Sequence, residues 1–371
     1  MFKNLYKSTL SITSLILLTS CMMITPPNDK LAKKLDQLSS GGDSNKVIAY
    51  LEKLDKDKIT DTDGKLIRKA IDIDDITLIE KLLLQENINI NVKGTDQYTA
   101  LGYLISIPAK NSKNQSDIAK LLIESGADVN TRIAKNETLL ILSADQNLPE
   151  IIKLLIDNGA DVNASSNNGE TAIHKSKEDV LRILVENNAD INIVDNQGNT
   201  VLHKLYYIED IHFLSAQGLD INAVNNKGET VLFNACNNRN CNSVRIEKLI
   251  AAGANPNIKN KESITVAHLA LKTLSIDTVK VLLDNEANIN IADNTGKTPL
   301  HYLALSLHNI NYSETIDIKQ VYESAALLFA AGADPLAKDN EGNDPFAIAK
   351  DAISPMIESL QDMANAKNSN R

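Results

Sequence analysis

Apolar residues in this chain come in short clusters at helical spacing, such as Ile151, Ile152, Leu154 and Leu155, or Val279, Val281, Leu282 and Leu283. Each cluster predicts one face of a short helix. Polar, glycine-bearing turns separate them. Asp195, Asn225, Asp293 and Asp339 each stand three residues before a glycine (Gly198, Gly228, Gly296, Gly342), which predicts tight Asx turns. A threonine follows and predicts the N-cap of the next helix, a contribution of about 1 kcal/mol. At Pro299 the first helical position is a proline, where no amide donor is missed.

The pattern is periodic. Phrases related to Gly-Ala-Asp-Val-Asn end at Asn91, Asn130, Asn163, Asn192, Asn222, Asn257 and Asn290, and in degenerate form at Leu336. A threonine stands 8 residues later each time, at Thr99, Thr138, Thr171, Thr200, Thr230, Thr265 and Thr298, with Asp344 in that place after Leu336. From that threonine to the next phrase end the distance is 31, 25, 21, 22, 27, 25 and 38 residues. One joint is fixed and the rest is elastic. Such helix pairs cannot cover their apolar faces alone and must stack on neighbours. Gly126, Gly159, Gly253 and Gly332 read as the C-caps of second helices.

"DNTGKTPLH" (293–301), preceded by "VKVLLDNEANIN" (279–290), is the fullest copy. It resembles the ankyrin repeat, whose period is about 33 and whose signature contains Thr-Pro-Leu-His. The match covers residues 63–350 and implies an all-α repeat solenoid of helix-turn-helix units with hairpin-like tips. Asp63–Asn91 is an eighth, degenerate unit, with Leu66 where the threonine would be. The two shortened units, ending at Asn192 and Asn222, predict clipped first helices. Amphipathic patterns at Leu31–Leu38 and Val47–Leu54 predict N-terminal capping helices within 29–58. Residues 59–343 are the repeats, and 344–371 read as a C-terminal cap and tail.

Histidine fills the last slot of the signature at His174, His203, His268 and His301. Packed helices lie about 8–10 Å apart, whereas two ligands of one zinc come within about 4 Å of each other. A metal ladder is therefore excluded, and the resemblance implies a structural imidazole that ties helix to turn. No nucleophile elbow, phosphate loop or metal-protease motif occurs. The expectation is a protein that is not an enzyme, with no cofactor, no metal and no small-molecule substrate.

Composition narrows the partners. Net charge is −10, with 43% hydrophobic residues, 4% aromatics and no Trp. An acidic chain with few stacking residues is a poor nucleic-acid binder. The turn tips carry 8 basic and 9 acidic residues, so no charged ligand is expected along the whole array.

Residues 1–20 carry Lys3 and Lys7, no acid, and an apolar run at 8–18 too short to span a bilayer. They read as a signal peptide. Leu18-Thr19-Ser20-Cys21 resembles a bacterial lipobox. That resemblance implies cleavage before Cys21, a lipidated Cys21 and a short tether at 21–28. An ordinary signal peptide containing a cysteine is the alternative. Met22, rather than Asp, favours the outer membrane by analogy with enterobacterial sorting. Several acyl chains would hold the protein stably at a membrane.

Cys236 and Cys241, in "ACNNRNC", are candidates for a disulfide in an oxidising compartment. Closing so short a loop contributes about 2 kcal/mol in the entropic account. The alternative is that Cys236 fills a small buried slot and Cys241 is a free thiol. Insertions fall at 306–320 and, shorter, at 107–115. Insertions between helices often mark the binding side of a repeat array, although neutral drift tolerates them too. The candidate partner contacts are Tyr206, Tyr207, His308 and Tyr312. The expected function is a lipid-anchored scaffold that binds another protein. The alternatives are a secreted or surface-exposed effector acting on host proteins, or an accessory of a periplasmic enzyme.

Overall fold

The computed structural model describes residues 44–53, 61, 64–108, 114–204, 211–236, 241–308 and 318–349, with isolated positions at 31, 33, 34, 37 and 362. The chain divides into two compact units, Met1–Asn167 and Asn168–Arg371. Both are built from helix pairs, and among the described residues only isolated β-bridges accompany the helices. This is the all-α repeat architecture that the periodicity predicts.

The first unit holds Ser44–Leu51 and then three pairs: Lys65–Ile73 with Ile76–Leu83, Ala100–Ser106 with Gln115–Glu124, and Leu139–Asp145 with Pro149–Asp157. Leu66, Ile67, Ile71, Leu78, Ile79, Leu82, Leu101, Leu104, Ile105, Ile118 and Leu122 are among its fully buried side chains. They are the residues that the helical periodicity places inward. The shorter insertion is closed by a buried amide, since Gln115 Nε2 donates to the carbonyls of Leu104 (2.8 Å) and Ile107 (2.9 Å).

The second unit holds five pairs: Ala172–Lys175 with Glu178–Glu186, Val201–Lys204 with Ile211–Ala216, Val231–Asn234 with Ser243–Ala251, Val266–Lys272 with Ile276–Asp284, and Pro299–His308 with Ile318–Ala330. Pro345–Ala349 follows as a further first helix. The first of the two shortened repeats does have a clipped first helix, of 4 residues; in the second, Val201–Lys204 reaches the edge of the described residues. Val231–Asn234 is equally short, which repeat length did not signal. Its chain turns off at Cys236 to reach the bridge with Cys241.

The asparagine that ends each phrase has a structural reason. At Asn91, Asn130, Asn192, Asn222, Asn257 and Asn290 its amide clamps the loop of the following repeat. Asn222 Nδ2 donates to the Gly253 carbonyl (3.2 Å), and its Oδ1 accepts from the Asn255 N–H (2.8 Å). Asn290 does the same with Gly332 (3.0 Å) and Asp334 (3.1 Å). In the first unit Asn91 clamps Gly126 (3.0 Å) and Asp128 (2.8 Å). Each clamp satisfies a C-terminal carbonyl that the helix leaves open. Leu336, in the degenerate phrase, has no such loop to hold among the described residues and is 61% exposed.

Turn tips stack in the same way. In the second unit the tip N–H groups of Asn196, Asn226, Lys261, Asn294 and Asn340 donate to Asn168, Gln197, Lys227, Glu262 and Thr295, at 2.8–3.0 Å. That closeness constrains Gly296. Its φ is +79°, and a Cβ there would lie 2.6 Å from Asn340 Oδ1 and 2.8 Å from the Asn340 backbone nitrogen. Gly342 has a similar φ of +81° but nothing within 4 Å. Gly296→Ala is therefore expected to destabilise by about 2 kcal/mol and Gly342→Ala by about 1, since only the first adds a backbone clash to the dihedral strain. Denaturant midpoints followed by circular dichroism check the order of the two. Equal losses would mean that the neighbouring tip yields freely.

Candidate interaction surface

The signature threonine and histidine form a reciprocal cap. In Thr171/His174, Thr200/His203, Thr265/His268 and Thr298/His301 the threonine N–H donates to the histidine Nδ1, at 3.2, 3.2, 3.0 and 3.0 Å. This is a capping box with histidine in the place usually held by Glu or Gln. Nε2 then donates to a tip carbonyl of the next repeat: Asn199 (3.0 Å), Glu229 (3.0 Å), Lys297 (3.2 Å) and Asn343 (3.2 Å). Both ring nitrogens are engaged, and the neutral Nε2–H tautomer is fixed. The four rings are at most 6% exposed. Burial pushes all four imidazoles below their ordinary value, outweighing the carbonyl acceptors, and His268 falls to about 4.

The cap settles which side chains face outward. One residue after the histidine slot lies a row on consecutive first helices of the second unit: Lys175, Lys204, Asn234, Leu269 and Tyr302, continued by Ile348. All are exposed or half-buried. The row changes character along its length. At Lys175 and Lys204 it is ionic: Glu170 pairs with both, at 3.1 and 3.2 Å, and Asp195 pairs with Lys204 at 2.9 Å. Burial would raise the Asp195 carboxyl, but the Lys204 ammonium and the N–H groups of Asn199 and Gln197 hold it at about 2. Past Asn234 the row turns apolar. Tyr302 is fixed by donating its hydroxyl to Asp293 Oδ2 (2.9 Å), and it meets His268 edge-on with centroids 5.0 Å apart. Burial and the Asp293 acceptor push its phenol up. Val194 and Val224, on adjacent tips, add apolar surface at 51% and 50% exposure.

The first unit carries a smaller cluster. Tyr103 donates to Asp72 Oδ1 (2.6 Å) under the Arg68 guanidinium, which also pairs with Asp96 (2.8 Å). Burial, then Asp72, pushes the Tyr103 phenol up to about 12.

Of the residues singled out by sequence, Cys236 and Cys241 are joined by a disulfide with Cα atoms 4.0 Å apart. Their sulfurs are buried beside Thr273. Cys21, Tyr206, Tyr207 and Tyr312 lie outside the described residues, as does the side chain of His308, the last residue of its helix. The row beginning at Lys175 was missed by sequence reading, although the fixed offset from the threonine was a signal that could have found it.

A family model described as ankyrin repeats (3 copies) matches residues 105–195 and 239–339, together more than half of the chain. The chain is 34% identical over 90 residues to an ankyrin repeat and LEM domain-containing protein 1 homolog of Caenorhabditis elegans, covering 24% of this chain and 11% of that protein. It is 39% identical over 62 residues to the putative ankyrin repeat protein FPV222 of fowlpox virus, covering 17% and 8%. It is 30% identical over 116 residues to the E3 ubiquitin-protein ligase KEG of Arabidopsis thaliana, covering 31% and 6%. The shared part is thus a small fraction of each relative.

Proposed function

This chain belongs to the ankyrin-repeat family, and on that premise we propose that it is a non-enzymatic scaffold that binds another protein from a membrane to which a lipid on Cys21 holds it. The observation that carries the binding reading is the row through Asn234, Leu269 and Tyr302. The tip amides, the phrase-end asparagines and both nitrogens of the capping histidines are engaged within the stack. The row, by contrast, presents half-buried apolar groups next to fixed charges. Aromatic anchors ringed by polar groups suit a protein partner. The insertion with His308 and Tyr312, and the pair Tyr206 and Tyr207, belong to the same reading as candidate contacts.

A photo-crosslinking residue placed at Tyr302, Leu269 or, as a control, Leu84 tests it in the full-length protein made in a diderm bacterium. One discrete adduct from 302 and 269 but not from 84 is expected. Adducts of equal yield from all three positions would remove the reading. For the anchor, a clickable fatty acid should label the protein, and label that persists in Cys21→Ala would remove that part alone.

A further inference from the structure

We propose that mild acid selectively opens the second unit of this protein, through its capping-box histidines, while the helices of the first unit stay folded. The asymmetry is in the sequence. All six histidines lie at or after position 174. Four of them close capping boxes in the second unit. In the first unit the same slot holds Gly102 and Ile141, and there the threonine oxygens of Thr99 and Thr138 cap the helices directly, accepting from those two N–H groups at 3.3 and 3.1 Å. No imidazole takes part.

The geometry supplies the coupling. Nδ1 accepts from the threonine N–H and Nε2 donates to the next repeat's tip. A proton added at Nδ1 sets one N–H against the threonine N–H, and it forces the threonine hydroxyl, 2.9–3.1 Å from Nδ1, to turn its own proton away. Flipping the ring gives no escape, because each ring nitrogen would be exchanged for a carbon. Protonation therefore removes the threonine N–H bond to Nδ1, leaves the threonine oxygen as the ring's one partner there, and loosens the helix that holds the tip above.

Neighbouring charges do not compensate. His174 faces Asp195, Glu170 and Lys204, and His203 faces Asp195, Glu229 and Lys204. His268 faces Asp293 and Lys259 and meets the Tyr302 ring edge-on, and His301 faces Asp339, Asp344 and Lys297. Several of these acids are already matched, Asp195 by Lys204, Asp339 by Lys297 and Asp344 by Lys338. Asp293 holds the Thr295 and Lys297 N–H groups.

Burial wins, and the folded imidazoles take up protons later than unfolded ones. The stability they contribute is complete above the ordinary histidine value of about 6.5 and is lost as pH falls below it. For His268 the loss continues to about 4. Ordinary carboxylates have their midpoints at about 4, so the upper part of this window, above about 5.5, belongs to histidine.

Hydrogen exchange of the full-length protein at about pH 7.5 and about pH 5, corrected for the intrinsic rate, tests this. Protection in 265–272 should fall on the order of ten-fold or more, and 171–175 and 298–308 should fall with it. Protection in 65–83, 100–106 and 139–157 should change less than about two-fold. A variant with His174, His203, His268 and His301 all changed to Gln keeps a capping-box side chain that does not titrate. Its second unit should hold equal protection at both pH values. If that variant does not fold, His268→Gln alone is read over 265–272. Equal loss in both units, no loss in either, or a pH step that survives in the glutamine variant would overturn the proposal.

Discussion

His268→Ala is expected to lower the stability of the second unit by about 3–4 kcal/mol. The ring is fully buried and its two nitrogens serve different repeats. Removing it orphans the buried Thr265 N–H, whose desolvation costs about 1–3 kcal/mol, and the half-buried Lys297 carbonyl. It also takes away the edge contact with Tyr302 and leaves a cavity. Boxes without histidine differ: Thr99 and Thr138 still cap their helices, whereas the repeat that begins at Thr230 does not. Phe233 stands in the slot, and the buried Thr230 hydroxyl has no hydrogen-bond partner. The replacement His268→Gln should recover about half of the loss, because glutamine can still reach back to the threonine N–H. The chain has no Trp, so circular dichroism under increasing urea is the suitable measurement. A loss below about 1 kcal/mol for alanine would mean that water replaces the ring, and that the cap is not what joins the repeats.

Much of this was legible because the joint is local. A threonine eight residues after an asparagine, with an Asx-glycine turn between, is fixed by bonds that span four residues or fewer, such as Asp293 Oδ1 accepting from Thr295 and Lys297. Residues bound to a neighbouring repeat were legible only as a pattern. The phrase-end asparagines recur in the sequence, yet their partners lie about thirty positions on, as with Asn222 and Asn255 at 33. Spacing alone does not name them. Left-handed positions were half legible. Glycine marks them at 198, 228, 296 and 342, but Gln97, Asn136 and Ser263 take the same conformation with φ of 68°, 59° and 59°. The contact candidates Tyr206 and Tyr207 are aromatics of a shortened repeat, and Tyr312 is an aromatic of the longer insertion. The row through Leu269 and Tyr302 needs the register of the first helix, which the position of the cap sets.

The degenerate first repeat carries the other large effect. Its sequence lacks the signature threonine, with Leu66 in that position, and Gly64 precedes the helix without a side-chain cap of its own. Asp61 does the work from outside. Its side chain is fully buried, Oδ1 accepting from the Leu66 N–H (3.2 Å) and Oδ2 from the Ile67 N–H (3.0 Å). Its own N–H donates to the Asn87 carbonyl (3.2 Å), and a parallel bridge to Ile88 pins it there. A carboxylate at a helix N-terminus gains both from charge-assisted bonds and from the helix dipole. Asp61→Ala would leave two buried N–H donors unmatched at the start of Lys65–Ile73, whose Leu66, Ile67, Ala70 and Ile71 form the inner face of that repeat. The expected loss is about 3 kcal/mol, confined to the first unit. Asp61→Asn keeps one oxygen acceptor and gives up the charge, so it should fall between wild type and alanine. Hydrogen exchange over 65–83 distinguishes the two contributions. Alanine and asparagine variants that lose protection equally would assign the effect to the charge and the second acceptor together, and an asparagine variant indistinguishable from wild type would assign it to a single hydrogen bond. An alanine variant with undiminished protection over 65–73 would show that another group caps the helix.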